Sequence, residues 1–186
     1  DEEIRLYTNT DTETVTEKRD GDGVRMGGVV ISKNEKITKK GDRMAFVVLE
    51  DLKGFIEVTV FADLYKKANP YFASDIPILV KGRIDRTEEK VKLVAEEIYP
   101  IEEARIKLTK AVHLVISTIG IDSSQMTDIK ALLKKHSGQC PVLCHFKYPD
   151  GKETVLALPD DLKVSPTREM MDAIRSLVGE DGIFLN

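Results

Sequence analysis

Three phenylalanines, Phe46, Phe55 and Phe61, are spaced so that their rings could stack against nucleobases. They lie in the stretch 43–61, RMAFVVLEDLKGFIEVTVF, which predicts two β-strands joined by a tight turn. In the second strand, FIEVTVF, aliphatic side chains alternate with the two rings, threonine and Glu57, so rings and carboxylate share one face. The aliphatic face belongs in a core, and the other face offers flat rings for base stacking, worth about 1–3 kcal/mol per base.

Two groups of basic side chains accompany these rings. The first lies in the polar stretch 33–43, which we expect to be mostly loop and which carries a local charge of +3. The second lies on a predicted fourth strand and the turn after it. Such side chains would hold phosphates and make binding depend on salt. The candidate nucleic-acid contacts are the three rings, Glu57 and the basic residues Lys33, Lys36, Lys39, Lys40, Arg43, Lys81, Arg83, Arg86 and Lys90.

Each of these residues also has a purely structural interpretation. A ring could pack beneath the following helix or against a neighbouring domain, and a lysine could simply solvate a loop. The binding hypothesis therefore depends on convergence of rings and lysines on one face, not on any single residue.

Residues typical of catalytic or metal sites are sparse and badly spaced. His113 and His145 lie in apolar strands, and no glycine-rich phosphate loop or nucleophile elbow is present. Cys140 and Cys144 would be about 13 Å apart on a strand, too far for a shared zinc ion or a disulfide. We expect no catalytic residue, no metal and no cofactor, and hence no enzyme in this stretch of chain.

Composition argues against a strongly basic nucleic-acid binder and against a membrane protein. The net charge is −4, with −5 in residues 1–23, zero in 24–104 and +1 in 105–186. The apolar runs fall short of the roughly 18 residues that a membrane span needs, and the acidic start lacks a signal-peptide pattern. Two cysteines suit a reducing compartment, so we expect a cytoplasmic protein that does not contact membranes.

The order of predicted elements indicates an OB-fold, a five-stranded β-barrel with a helix between strands three and four. Residues 1–23 are expected to be an acidic linker or tail, and residues 24–104 the barrel domain. Gly27-Gly28 predicts a bulge or bend in the first strand. The predicted strands are 24–33, 43–50, 55–61, 76–84 and 91–101, with a short helix over 62–70.

A change of pattern at residue 105 indicates a second, small α+β domain over 105–186. A strand over 111–118 is followed by a helix that Ser123-Ser124 could cap. Further strands and a last helix through Val178 follow.

The barrel segment resembles the OB domain of the bacterial DNA polymerase III alpha subunit. The resemblance is carried by VRMGGVV, then TKKGDRMAFVVLEDLKGFIEVTVFADLY, then ILVKGRI and LVAEEIYPI, over residues 24–104. The C-terminal part, ending SPTREMMDAIRSLVGEDGIFLN, is similar to the small domain that follows in that subunit.

The resemblance implies a non-catalytic piece of a replicative DNA polymerase. The barrel would bind single-stranded template DNA, and the C-terminal domain would dock the clamp-loader tau subunit, with the sliding clamp as a further candidate partner. The related anticodon-binding OB domains stack a base on a phenylalanine that matches Phe46. Glu50 and Glu57, where those domains have Arg and Gln, argue against an anticodon role.

Two rival functions remain open at this point. The barrel could be a protein-interaction module that packs on the rest of a polymerase without touching nucleic acid, as its zero net charge would allow. It could also be a tRNA-binding OB domain, in which case structured RNA should bind better than oligo-dT.

Overall fold

The computed structural model describes residues 2–73 and 75–186 and divides the chain into two compact units. The first unit comprises residues 1–104 and the second residues 105–186. The first begins with a short helix α1, Glu2–Arg5, and helix α3, Ile101–Leu108, which the sequence pattern did not predict, contains the boundary.

Five strands of the first unit form a closed barrel in the order β1-β2-β3-β5-β4, which confirms the predicted five-stranded barrel and is consistent with an OB-fold. Helix α2, Ala62–Ala68, lies between β3 and β4 in sequence, as predicted. The strands are β1 Gly23–Ile37, β2 Arg43–Glu50, β3 Phe55–Val60, β4 Ile78–Arg86 and β5 Val91–Pro100.

Strand alternation separates the barrel core from its outer surface on β2 and β3. The side chains of Ala45, Val47 and Leu49 on β2, and of Ile56, Val58 and Val60 on β3, are buried in the core. The intervening side chains therefore point outward, so Phe46 and Glu57 are on the outer surface as predicted.

Strand β1 differs from the prediction in its length and in the place of its bulge. It continues to Ile37, not Lys33, because its polar second half pairs with β2 from Lys33↔Val47 to Ile37↔Arg43. Of the bulge or bend expected at Gly27-Gly28, the bulge is wrong, since the register shifts between Val30 and Ser32. The glycines instead mark the point where β1 changes its partner from β4 to β2.

Residues 7–22, part of the segment expected to be an acidic tail, hydrogen-bond to the barrel. The Thr12 amide and hydroxyl donate to the Asp51 carboxylate at 2.8 and 2.6 Å, and the Arg25 amide donates to Asn9 Oδ1 at 2.7 Å. The Arg86 amide donates to Asp20 Oδ1 at 2.9 Å. This segment therefore lies against the β2–β3 turn, β1 and β4, whereas Asp1 is outside the described residues.

Asp51→Ala should lower the free energy of unfolding of the first unit by about 1–2 kcal/mol. Burial alone would raise the pKa of Asp51, but hydrogen bonds from Thr12, Lys53 and Gly54 lower it below its ordinary 3.8. Stability from a depressed carboxyl pKa is present above the unfolded-state pKa and is lost as pH falls through the folded one.

Denaturant titrations at several pH values check this prediction. The difference in the free energy of unfolding between wild type and Asp51→Ala should be largest at neutral pH and should shrink below about pH 4. Asp51→Asn keeps one carbonyl acceptor and should therefore lose less stability than Asp51→Ala. An equal difference at neutral and acidic pH would contradict the prediction.

The second unit contains a four-stranded sheet, in the order β10-β6-β8-β9, packed against two helices. Apolar residues of the helices, among them Ile129, Leu133, Met170 and Ile174, are buried against one face of the sheet. The elements are β6 Val112–Ser117, α4 Ser123–Lys135, β7 Ser137–Cys140, β8 Val142–Lys147, β9 Glu153–Ala157, α5 Arg168–Val178 and β10 Ile183–Leu185.

The cap of α4 differs from the expected Ser123-Ser124. Asp122 is the N-cap, and its side chain accepts a hydrogen bond from the backbone amide of Gln125. In return, Gln125 Oε1 accepts a hydrogen bond from the backbone amide of Asp122. Asp at this position satisfies the free amides of the first turn as well as serine would.

Among the helices of the described residues, none combines the length and the apolar character that a membrane crossing requires.

Candidate nucleic-acid interface

The outer surface of β1, β2, β3 and β5 forms a groove of about 370 Å³ around Phe46. We call it the Phe46 groove. Phe46 lies opposite Asn34 on β1 and Thr59 on β3, so it occupies the middle of the sheet. The lining residues are Ser32, Asn34, Lys36, Phe46, Val48, Glu57 and Lys92.

The Phe46 ring is half-buried and has two ammonium groups close to it. Lys36 Nζ is 5.1 Å and Lys92 Nζ 5.9 Å from the ring centroid, distances at which a cation is attracted to an aromatic face. In this arrangement a base that stacked on Phe46 would take the place of an ammonium group, which would then be free to meet a phosphate.

Glu57 is the one carboxylate that lines the described groove, and Lys92 forms an ion pair with it. The pair is partly exposed to solvent, so its net contribution to stability is small, about 0–1 kcal/mol. Its main consequence is electrostatic, because Glu57 offsets one of the two positive charges in the groove.

Lys33 and Arg43, predicted to accompany Phe46, do not line the groove. Since Lys33 and Lys36 are three residues apart on one strand, they point to opposite faces. Lys33 Nζ lies 2.8 Å from Asn69 Oδ1 and 3.0 Å from Glu35, and this hydrogen bond to Glu35 raises the pKa of Lys33. Arg43 is 3.9 Å from the same Glu35 carboxylate.

Lys39 and Lys40 are at the tip of the β1–β2 turn and are exposed. The turn is closed by the Thr38 amide donating to Asp42 O at 2.8 Å, and Gly41 has a φ of +86°, which glycine adopts without strain. Within the described residues neither lysine has an ion-pair partner, so both ammonium groups remain available to an anion.

Most of the second basic group already has partners within the chain. Arg83 Nε is 2.7 Å from Glu96 Oε1, and Lys81 forms an ion pair with Glu97. The Arg86 guanidinium donates to the Thr16 carbonyl. Lys90, in the β4–β5 turn, is exposed. The structure therefore does not bring Lys81, Arg83 and Arg86 into the Phe46 groove.

The other two candidate rings are more exposed than Phe46 but lie away from the groove lining. Phe55 is 73% exposed at the start of β3, and Phe61 is 53% exposed just before α2. Phe55 is four residues from Thr59 on β3, and Thr59 lies opposite Phe46. The rings of Phe55 and Phe46 are therefore about 13 Å apart along the sheet.

Sequence reasoning missed Lys92, Ser32 and Asn34 as groove residues. Lys92 reaches Glu57 because β3 and β5 pair in parallel, with Thr59 opposite Val94. The alternation of Lys92 with buried Leu93 and Ala95 indicated that its side chain points outward. The pattern could not indicate which strand would lie beside β5.

In the second unit, His113 and His145 are brought together without forming a metal site. His113 Nδ1 lies 2.8 Å from His145 Nε2, and His145 Nδ1 lies 3.1 Å from Glu153 Oε1. His113 Nε2 is buried and has no hydrogen-bond partner within the described part of the chain. Across that part, no group of three or more His, Cys, Asp or Glu side chains is placed to hold a metal.

A family model matches part of the chain, and solved structures were also compared with it. Residues 24–101 match the tRNA anticodon family model, described as an OB-fold nucleic acid binding domain. A mitochondrial single-stranded DNA binding protein from S. cerevisiae has a TM-score of 0.37 and 14% identity, over 44% of this chain and 96% of that one.

Two of the sequence relatives are subunits of a polymerase. DNA polymerase III subunit alpha from Pseudomonas fluorescens is 29% identical over 98% of this chain. The subunit from Saccharopolyspora erythraea is 30% identical over 85% of it. The chain spans only 15% and 14% of the length of these two relatives. Residues 24–101 thus match an OB-fold nucleic acid binding domain family, within a chain similar to a segment of DNA polymerase III subunit alpha.

Proposed function

We propose that the first unit binds single-stranded template DNA, as a non-catalytic part of a replicative DNA polymerase. A base stacks on Phe46, Lys36 and Lys92 contact the adjoining phosphates, and Lys39, Lys40 and Lys90 extend the contact along the backbone. Phe55 and Phe61 offer further stacking surfaces to bases beyond the groove.

The observation that carries this proposal is the Phe46 groove itself. It combines a ring on the outer surface of a closed barrel with two ammonium groups within 6 Å of that ring. Stacking on an aromatic side chain together with basic groups along the backbone is the general arrangement for binding single strands without sequence preference. The similarity to DNA polymerase III alpha favours template DNA as the ligand.

A titration of fluorescein-labelled oligo-dT over a range of salt concentrations tests the proposal. The affinity should fall linearly with salt on a double-logarithmic plot, with a slope of about −0.7 per phosphate contact. Absence of binding at low salt would reject the DNA role.

Glu57→Gln should increase the affinity for oligo-dT by about 2- to 5-fold at low salt. The substitution removes the negative charge in the groove and releases Lys92 from its ion pair, so Lys92 can contact a phosphate. Glu17→Gln is the matched control, because it changes the net charge equally on an exposed residue outside the groove. Weaker binding by Glu57→Gln would instead indicate that the carboxylate accepts a hydrogen bond from a base.

For the second unit we propose docking of the clamp-loader tau subunit, with the sliding clamp as a further candidate. The support is the extent of the similarity to DNA polymerase III alpha, which covers both units. Pull-down of this chain with purified tau, clamp and single-strand binding protein tests it. Retention of none of the three would reject the docking role.

A tRNA-binding role is the second candidate, favoured by the anticodon family model that matches the barrel. Competition between oligo-dT and a structured RNA hairpin separates the two. Preference for the hairpin would support RNA binding. Binding of neither, together with retention of a protein partner, would support an interaction module alone. In either case we expect no polymerase or nuclease activity above background.

A further inference from the structure

The strand β9, Glu153–Ala157, forms one edge of the sheet in the second unit and is unusually open. Its hydrogen-bonded partner in the described sheet is β8, on one side. All five of its side chains are exposed. Val155 is 49% and Leu156 51% exposed, and because they are consecutive they are on opposite faces of the strand.

The backbone of β9 offers hydrogen-bonding groups on its free side. The Leu158 amide donates to Val142 O and the Tyr148 amide donates to Lys152 O, both at 2.9 Å, so these two residue pairs are hydrogen-bonded. Such pairs alternate along an antiparallel ladder. Thr154 and Leu156 therefore bond to β8, whereas the amides and carbonyls of Glu153, Val155 and Ala157 point away from it.

Several of the devices that protect an edge strand are missing from β9. Natural edges are commonly blocked by lysine, proline or a bulge, or are very short. The sequence ETVLA contains neither lysine nor proline, and its register with β8 is regular. At the opposite edge, β10 has three residues, and its Phe184 ring stacks on His113 with centroids 4.5 Å apart.

Hydrogen bonds and ion pairs within the chain engage the carboxylates next to the strand. Glu153 Oε1 is bonded to His145, Asp160 is 3.0 Å from Lys163 Nζ, and Asp161 is 3.8 Å from Lys134 Nζ. A partner therefore meets an edge that is apolar in the middle and whose neighbouring carboxylates already have partners within the chain, which suits an uncharged segment.

The length of the edge decides between a second copy and another protein. Five residues extend about 17 Å, whereas a stable dimer interface involves about 20–30 residues on each side. Pairing of β9 with itself would not hold two copies together. Strand addition by an extended peptide needs no larger surface, since main-chain bonds provide affinity and alternate side chains provide specificity.

We propose that β9 binds an extended, uncharged segment of a partner protein by strand addition. The segment bonds to the outward amides of Glu153, Val155 and Ala157, and its apolar side chains cover Val155 and Leu156. The inference rests on the docking role proposed above for the second unit and names the surface and the kind of segment.

Val155→Pro in the whole chain is the decisive variant. It removes the outward amide hydrogen but no bond to β8, and proline is tolerated at such edge positions, so the unfolding temperature should change little. Val155→Thr is the matched control, because it replaces one methyl group by a hydroxyl in a side chain of nearly the same shape and keeps the amide. The probe is an end-capped peptide of alternating valine and threonine, and its inactive counterpart is N-methylated at alternate residues.

We expect the peptide to slow amide exchange at Val155 and Ala157 and to bind Val155→Pro roughly tenfold more weakly. Val155→Thr should bind within about threefold of wild type, and the N-methylated peptide should not bind. Equal binding of both peptides, or no effect of Val155→Pro, would overturn the inference. So would a concentration-dependent doubling of mass without peptide.

Purified tau separates this inference from the proposed function. If tau binds the wild-type chain and binds Val155→Pro roughly tenfold more weakly, the docking role and the β9 inference are both supported. If tau binds both forms equally, the docking role stands and the β9 inference is overturned. If tau binds neither, the docking role is lost, and the peptide result alone decides whether β9 accepts a strand.

Discussion

Phe46→Ala should weaken binding of oligo-dT by about 5- to 150-fold, the equivalent of the 1–3 kcal/mol lost when a stacked base loses its aromatic partner. The loss should persist at high salt, because stacking does not depend on counterion release. Phe46 should matter more than Phe55 or Phe61, since its ring is the one beside the ammonium groups of Lys36 and Lys92.

Phe46→Leu is the matched control for this experiment. Leucine keeps an apolar side chain in the groove, which Val48 also lines, but offers no flat ring. The affinity of Phe46→Leu should therefore fall nearly as far as that of Phe46→Ala. Phe46→Tyr should retain most of the affinity. Both should unfold close to the wild-type temperature, which separates loss of stacking from loss of folding. Full affinity in Phe46→Leu would show that the ring does not stack a base.

The strand pattern was sufficient to place the central residues of the site. Alternation on β3 put Glu57 on the outer surface. Phe46 was expected as a stacking ring, and it lies outside the barrel while Ala45, Val47 and Leu49 are buried in the core. Alternation is a local property of the chain, so one sequence reveals it.

The errors have a different cause, because they depend on which strands become neighbours. The polar second half of β1 was interpreted as loop, since main-chain pairing with β2 does not require apolar side chains. Once that half is a strand, Lys33 and Lys36 must separate onto two faces. Lys92 entered the groove through the parallel pairing of β3 with β5, a long-range contact that no local pattern indicates.

Partner choice also explains the difference between the two basic groups. The sequence pattern predicts Lys81 and Arg83 to be as exposed as Lys39 and Lys40. In the structure, however, Glu97 and Glu96 lie on β5, the strand paired with β4, and form ion pairs with them. A cation already in an ion pair gains less from a phosphate, because the phosphate must compete with the carboxylate. The number of basic residues in a sequence therefore overestimates the number of phosphate contacts.

The double variant Lys39→Ala/Lys40→Ala should make the salt dependence of oligo-dT binding less steep by about 1.4 units, at about 0.7 for each lost contact with a single strand. If the affinity at 1 M salt is unchanged, this corresponds to roughly 25-fold weaker binding at 0.1 M salt. Both lysines are exposed at the tip of a turn, so the unfolding temperature should not change.

Lys81→Ala/Arg83→Ala is the matched control, with the same loss of two charges from the same barrel. Because both side chains are ion-paired on β4, its slope should change by less than half as much. Equal slopes for the two double variants would mean that DNA responds only to the overall charge of the barrel. A larger change in the β4 variant would place the DNA path across β4 and β5 and away from Phe46. Only a selective effect of Lys39 and Lys40 agrees with a strand that passes over the Phe46 groove.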